Sequence, residues 1–396
     1  MTNGRPTAPP TGGSPRLLDR IRSEPFRLFF PVGVLLGWIG VGHWLLYGLG
    51  LAETYSCFRH GLLQTQAFLM AFALGFLWTA LPRRTAAPVA SPSEVALALA
   101  ALLLTGGALL CDAFVTAELG YLALFAMLLA FAARRFLSGT ARRRPPAAFV
   151  LLPLAAVLGV SGALLILARL VLEEPPWTIA LGALFIEQGV FLCLVMGIGA
   201  LVMPLMGGTP PPPDLGSSPR ETRVALGFLV LGLTVAASLV AETEGFVRSA
   251  PIVRGAAVAI ALGWGGGAFR LPGKPGFHRK LVWVAAWLAP AGLVASGLLP
   301  DYRVPALHVL FIGGFSLMAF GVATHVSLSH LDLDEAALGR PRPVVVLAVA
   351  IALALLARLA ADSSQTYFEH LASAALCWMV GSAVWLVWLA PRLLRR

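Results

Sequence analysis

The chain carries seven histidines, and their placement sets the chemistry open to it. Neutral imidazole ligates transition metals, and haem iron commonly takes histidine as an axial ligand. His308 lies near the start of an apolar run, Val304 to His330, that is long enough to cross a bilayer. His325 and His330 close that run. At about 1.5 Å per residue His308 and His325 are roughly 25 Å apart, so they mark opposite membrane faces and cannot share one metal. Gly313, Gly314, Ser316 and Gly321 interrupt the run, and small residues let a neighbouring helix come close.

Other polar groups collect at the depth of His308. His60 and His370 each open an apolar segment that, like the one after His308, runs inward. His43 sits about two turns below the outer end of the first segment. Gln64 is one turn below His60 on the same face, with Gln66 beside it. Glu187 and Gln188 lie in the outer half of the sixth segment. A carboxylate in the hydrocarbon is costly and normally faces the bundle interior with a partner. His43, His60, Gln64, Glu187, His308 and His370 therefore form the candidate cofactor-binding set.

Taken alone, each has a plainer explanation. A histidine at a helix start is more often interfacial than a ligand, and for His370 by itself that is the stronger reading. His43 can hydrogen-bond a neighbouring helix, and Glu187 can pair with Arg169. Their coincidence in depth is what favours a site. At the inner face, His278 falls in the basic stretch RLPGKPGFHRK and reads as solvated. His325 and His330 are five apart and do not share a helical face. With Asp332, Asp334 and Glu335 they read as a polar helix end rather than a metal cluster. The sequence holds no Walker loop, no nucleotide-binding glycine fingerprint, no Cys-x-x-Cys-His and no adjacent His pair within a span. Gly263–Gly267 (GWGGG) reads as close helix packing.

The elements that must position these groups are membrane helices. Hydrophobic residues make up 58% of the chain and charged residues 12%, with a mean hydropathy of +0.83. Soluble domains carry about 25% charged residues. The expected fold is all-α and polytopic, with about twelve transmembrane helices. These are placed at roughly 27–50, 60–80, 94–111, 117–135, 149–171, 178–203, 223–241, 250–269, 280–299, 304–328, 343–361 and 368–390. Residues 1–24, basic and rich in Gly and Pro, are expected to form a disordered cytoplasmic tail, without the pattern of a signal peptide. Residues 25–396 form a single membrane domain.

With the N-terminus inside, 23 of the 29 Lys and Arg residues fall on the inner side. Glu53, Asp112, Glu118, Glu173, Glu174, Glu242, Glu244, Asp301 and Asp362 fall in outer loops. Both termini are therefore cytoplasmic. The net charge of +10 is this inner rim facing anionic lipid, and it gives no argument for nucleic acid. Four cysteines are too few for a disulfide framework. Cys57 and Cys111, near the outer face, read as unpaired rather than bridged, and Cys193 and Cys377 read as core residues.

Three stretches carry a resemblance. They are Pro25-Phe26-Arg27-Leu28-Phe29-Phe30; His60 with the later Gly75-Phe76-Leu77-Trp78-Thr79-Ala80-Leu81-Pro82-Arg83; and Leu307-His308 with Thr324-His325-Val326-Ser327-Leu328-Ser329-His330. Their order and spacing resemble the NnrS family of bacterial inner-membrane proteins, and the resemblance covers most of the chain. That family is regarded as haem- and copper-containing and linked to nitric oxide metabolism and nitrosative stress. The resemblance implies that His60, His308 and His330 match the family's metal-site histidines. Two positions depart from it: Leu62 stands where a His-x-His pattern is common, and His325 stands where arginine is common.

The expectation is a haem-binding membrane protein. His308 is its axial ligand, with His60 opposite and His370 as the alternative to His60. Copper rests on the resemblance alone, and the redox partner is left open. A secondary transporter would show inverted repeats and polar groups near the midplane; no repeat is evident and the polar groups sit off-centre. A cofactor-free assembly subunit is the third class. A visible absorption spectrum separates the first from the other two.

Overall fold

The computed structural model describes residues 17–140, 144–216, 218–331 and 333–395. Residues 1–16 of the tail, and with them Arg142, Arg143 and Asp332, lie outside the described residues. Twelve helices make up the membrane domain. They are α1 (Phe26–Gly48), α2 (Cys57–Thr85), α3 (Pro92–Leu110), α4 (Phe114–Ser138), α5 (Ala147–Val171), α6 (Trp177–Gly207), α7 (Pro219–Thr243), α8 (Ser249–Gly265), α9 (Phe277–Leu298), α10 (Pro300–His330), α11 (Arg342–Ala361) and α12 (Tyr367–Arg395). Among the described residues there is no strand beyond an isolated bridge between Pro146 and Asp214.

Local sequence explains where helices begin. Ser91-Pro92-Ser93-Glu94 starts α3 with a reciprocal cap: the Ser91 hydroxyl accepts from the Glu94 amide at 3.1 Å, and the Glu94 carboxylate accepts from the Ser91 amide at 2.8 Å. Proline at the first helical position lacks a hydrogen that would have no partner there. Ser218-Pro219-Arg220-Glu221 repeats the pattern at α7, where the Glu221 carboxylate accepts from the Ser218 amide at 3.2 Å.

The expected disordered tail gives way before residue 24, since Leu17–Ser23 is helical. The start of α1 and the end of α12 lie on one face. Arg27, at the start of α1, donates from Nη1 to the Leu393 carbonyl of α12 at 2.8 Å. Glu24 reaches Arg83 at the end of α2, at 2.6 Å. An even number of crossings follows.

Eleven of the helices are long and apolar enough to span a membrane; the eighth is shorter. Its twelve α-helical residues and five π-helical ones reach about 25 Å, against a hydrocarbon core of about 30 Å. GWGGG is thus the end of a broken span, and it is also closely packed, since a Cβ on Gly265 would collide with the Phe228 ring of α7. α8 runs antiparallel to α9: a Cβ on Gly297 would meet Ile252 at 2.7 Å, and one on Gly255 would meet the Pro290 carbonyl at 3.0 Å. Past Gly265 the chain leaves the helix while still level with Trp283 and Trp287 of α9. Non-helical backbone survives at that depth when protein groups satisfy it. The indole N–H groups of Trp283 and Trp287 both donate to the Ala268 carbonyl, at 2.7 and 3.1 Å.

Two outcomes test this break. Glu244→Cys and Lys274→Cys, each in a background without native cysteines, should react with a membrane-impermeant maleimide from the outer and the inner side respectively. Labelling of both from one side would mean that α8 does not cross. Trp283→Phe/Trp287→Phe keeps an aromatic ring at each position and removes both donors. It should cost about 1–3 kcal/mol, the desolvation cost of a buried acceptor left unsatisfied, seen as a lower thermal midpoint in detergent. An unchanged midpoint would contradict the role given to the two indoles.

Three acidic or imidazole groups sit deeper than the sequence places them. Glu118, read as a loop residue, is 0% exposed in the first turns of α4. Only Cys111–Ala113 separate α3 from α4, so one turn carries it inside, where Gln66 Nε2 donates to both its oxygens at 2.9 Å. Glu242 is in the last turn of α7 and buried. His278, read as solvated, is fully buried in the first turn of α9, with its Nε2 3.2 Å from His325 Nδ1. All four cysteines are free.

Candidate functional site

Four of the helices carry a π-helical stretch, and in three of them it adjoins the candidate residues. Leu63–Leu69 follows His60 in α2 and contains Gln64. Phe185–Val190 in α6 contains Glu187 and Gln188. Val309–Ser316 in α10 begins directly after His308. Such insertions shift side chains out of the regular register and recur at functional sites. The glycines of the third allow close packing: Cβ atoms on Gly313 and Gly314 would each meet α9, at Leu288 and Ala289, at 2.9 Å.

These stretches line a cavity of about 320 Å³ in the outer half of the bundle, within the size range of cofactor pockets. His60, Gln64, Glu187 and His308 all line it. Its walls are otherwise largely apolar, from Phe68, Leu307, Phe311 and Trp378, with Trp378 Nε1 donating to Ser316 Oγ at 2.8 Å. Gln64 Nε2 donates to the Gly37 carbonyl at 3.0 Å. Glu187 lies against Gly61, where an added Cβ would collide with its Oε1. Neither Glu187 nor Arg169 forms an ion pair among the described residues.

The two histidines share one arrangement. His60 Nδ1 lies 2.7 Å from the Gly40 carbonyl of α1, and His308 Nδ1 lies 2.8 Å from the Val304 carbonyl. A carbonyl only accepts, so each Nδ1 carries the proton and each Nε2 keeps its lone pair. Neither Nε2 has a hydrogen-bond partner among the described residues. Metal-binding histidines are oriented in this way, with the far nitrogen tied to a backbone acceptor.

The other candidates are placed differently. His43 does not line the cavity; it packs behind His60, ring centroids 5.8 Å apart, and both its nitrogens are buried without partners. His370 is half-buried outside the cavity wall. His330 belongs to the opposite face, about 33 Å from His308 along α10. There its Nε2 lies 2.9 Å from Arg83 Nη1 and its Nδ1 3.4 Å from Glu24 Oε1. Burial pushes the Glu24 carboxyl up, but hydrogen bonds to His330 and Arg27 outweigh it and hold it at about 2. His330 therefore cannot join His60 and His308 in one site.

Sequence reasoning missed Arg303, Arg358 and Tyr367, which also line the cavity. The signal was present. Arg303 and Arg358 are among the few basic residues on the outer side, with Arg59, Arg169, Arg248 and Arg254. A charge that runs against the orientation bias asks for a local reason.

Fold and cavity together define a multi-pass helical membrane protein with a histidine-lined cofactor-sized chamber in its outer half. The chain belongs to the NnrS family, whose sequence model, described as NnrS protein, matches residues 20–396. No curated protein matches it.

Proposed function

We propose that this protein binds haem in the outer-half cavity and acts in nitric oxide metabolism or the nitrosative-stress response at a bacterial inner membrane. The observation that carries the reading is the paired imidazole arrangement: His60 and His308 line one cavity, each with Nδ1 tied to a carbonyl and Nε2 free. The donor chemistry fits haem iron, and the aromatic and aliphatic walls fit a macrocycle. Haem bound there would supply an iron centre able to exchange electrons. The chain's own part is to hold the iron through His60 and His308, orient those rings through Gly40 and Val304, and exclude water with Phe68, Phe311 and Trp378. Among the described residues no three His, Cys, Asp or Glu side chains group as a metal site, and we propose haem alone.

The test is the absorption spectrum of the protein purified from haem-replete cells. A Soret band with a stoichiometric pyridine haemochrome is expected. A colourless, folded protein that gains no histidine-ligated Soret band on adding haemin would overturn the reading.

A further inference from the structure

Arginines and carboxylates crowd one end of the cavity, where Arg303 and Arg358 line the wall together with Glu187. Arg254 is 0% exposed and is held by Glu242 at 2.6 Å. The same carboxylate also takes Arg303, through its Nε at 3.0 Å and its Nη2. Two guanidinium groups thus share one carboxylate, whose side chain is 3% exposed. Arg303 lines the cavity with 32% of its side chain exposed, and its Nη1 has no partner among the described residues. Arg358 lines the cavity from α11. Its Nη1 donates to Asp362 and its Cζ stands 5.9 Å from the Tyr367 ring centroid, leaving Nε and Nη2 without partners among the described residues. Both guanidinium groups therefore keep donors open to an acid group in the cavity. Guanidinium, planar and forked, matches a carboxylate best.

We propose that Arg303 and Arg358 form a carboxylate clamp at the cavity, holding the acid groups of an otherwise apolar ligand with its charged edge towards the outer face. This rests on the haem reading for the ligand's identity, and it adds an orientation: the two propionates lie on the Arg303 and Arg358 side, with the apolar edge buried against Phe68 and Trp378. Arg303 is preset for this by Glu242, and Arg358 by Asp362 and Tyr367.

The test uses haem-depleted protein titrated with three probes: iron protoporphyrin, its dimethyl ester, and metal-free protoporphyrin. Wild type should prefer the diacid to the ester by about tenfold or more, the worth of one charge-assisted hydrogen bond at roughly 1.5–3 kcal/mol. Arg303→Gln and Arg358→Gln should each reduce that preference, the double variant should abolish it, and Arg358→Lys should restore part of it. The Soret position of the loaded variants should match wild type, because iron ligation is untouched. Equal binding of diacid and ester by wild type, or a preference that survives in the double variant, would overturn the clamp while leaving haem binding standing. Arginine-dependent binding of metal-free protoporphyrin, without a ligated Soret band from the iron form, would uphold the clamp and remove the haem reading. Failure to bind any of the three would remove both.

Discussion

His308→Ala should abolish the Soret band, or weaken haem retention by at least tenfold, in protein that still reaches the membrane and remains monodisperse in detergent. The side chain lies in the cavity wall, and its loss removes an imidazole whose tautomer is already set by Val304. If the residue held no metal, the change would remove one side-chain-to-backbone hydrogen bond, at about 0.5–1.5 kcal/mol, and leave the spectrum alone. His60→Ala should act in the same way, because its Nδ1 is held by Gly40 with equal economy. His325→Ala is the control. It lies roughly 25 Å from His308 along the helix and faces His278 at the inner side, so its spectrum should match wild type. A loaded His308→Ala protein with an unchanged band would remove this residue from the site.

How much of this was legible in the sequence depends on the scale of the feature. A twenty-residue apolar run is a strong signal, and each of the twelve expected segments falls on a helix. Depth along α2 and α10 follows from orientation, which is why the sequence alone puts His60 and His308 at one level. A single turn was beyond reach. Glu118, Glu242 and His278 all sit within about a turn of a helix end, and hydropathy cannot decide on which side of the interface such a residue falls. The break in α8 was hidden for a related reason: Gly265–Gly267 and Ala268 are apolar enough to extend the run, although the backbone has already left the helix.

Angular position was the other hidden quantity. Residues at one level need not meet, and which helices are neighbours depends on packing. His43 and His370 share the depth of the cavity but do not line it, whereas Arg303 and Arg358 do. The π-helical stretches had no sequence signature either. Val309–Ser316 has the composition of any membrane segment, and it packs closely on Leu288 and Ala289. The glycines that permit that approach were visible; the helix they would meet was not.

Glu242→Ala should be the most destabilising single change in the outer half. Glu242 is the shared counter-ion of Arg254 and Arg303, and Arg254 has no exposure at all. Ser238 Oγ, 3.4 Å from Arg254 Nη1, is a neutral dipole and cannot replace a charge. Removing one partner of a buried pair leaves the other charge uncompensated, which costs about 3–5 kcal/mol. In Glu242→Gln the amide keeps the volume and one acceptor, so its cost should be smaller. Glu242→Leu/Arg254→Met removes both buried charges and should recover most of the loss, because an apolar pair of similar size carries no desolvation penalty. Arg303 would then be left facing the cavity, with a third of its side chain open. Thermal unfolding in detergent, followed by loss of the monomer peak, reads all three. A Glu242→Ala midpoint equal to wild type would mean that water reaches Arg254. A double variant no better than the single change would mean that Glu242 acts through packing rather than through charge.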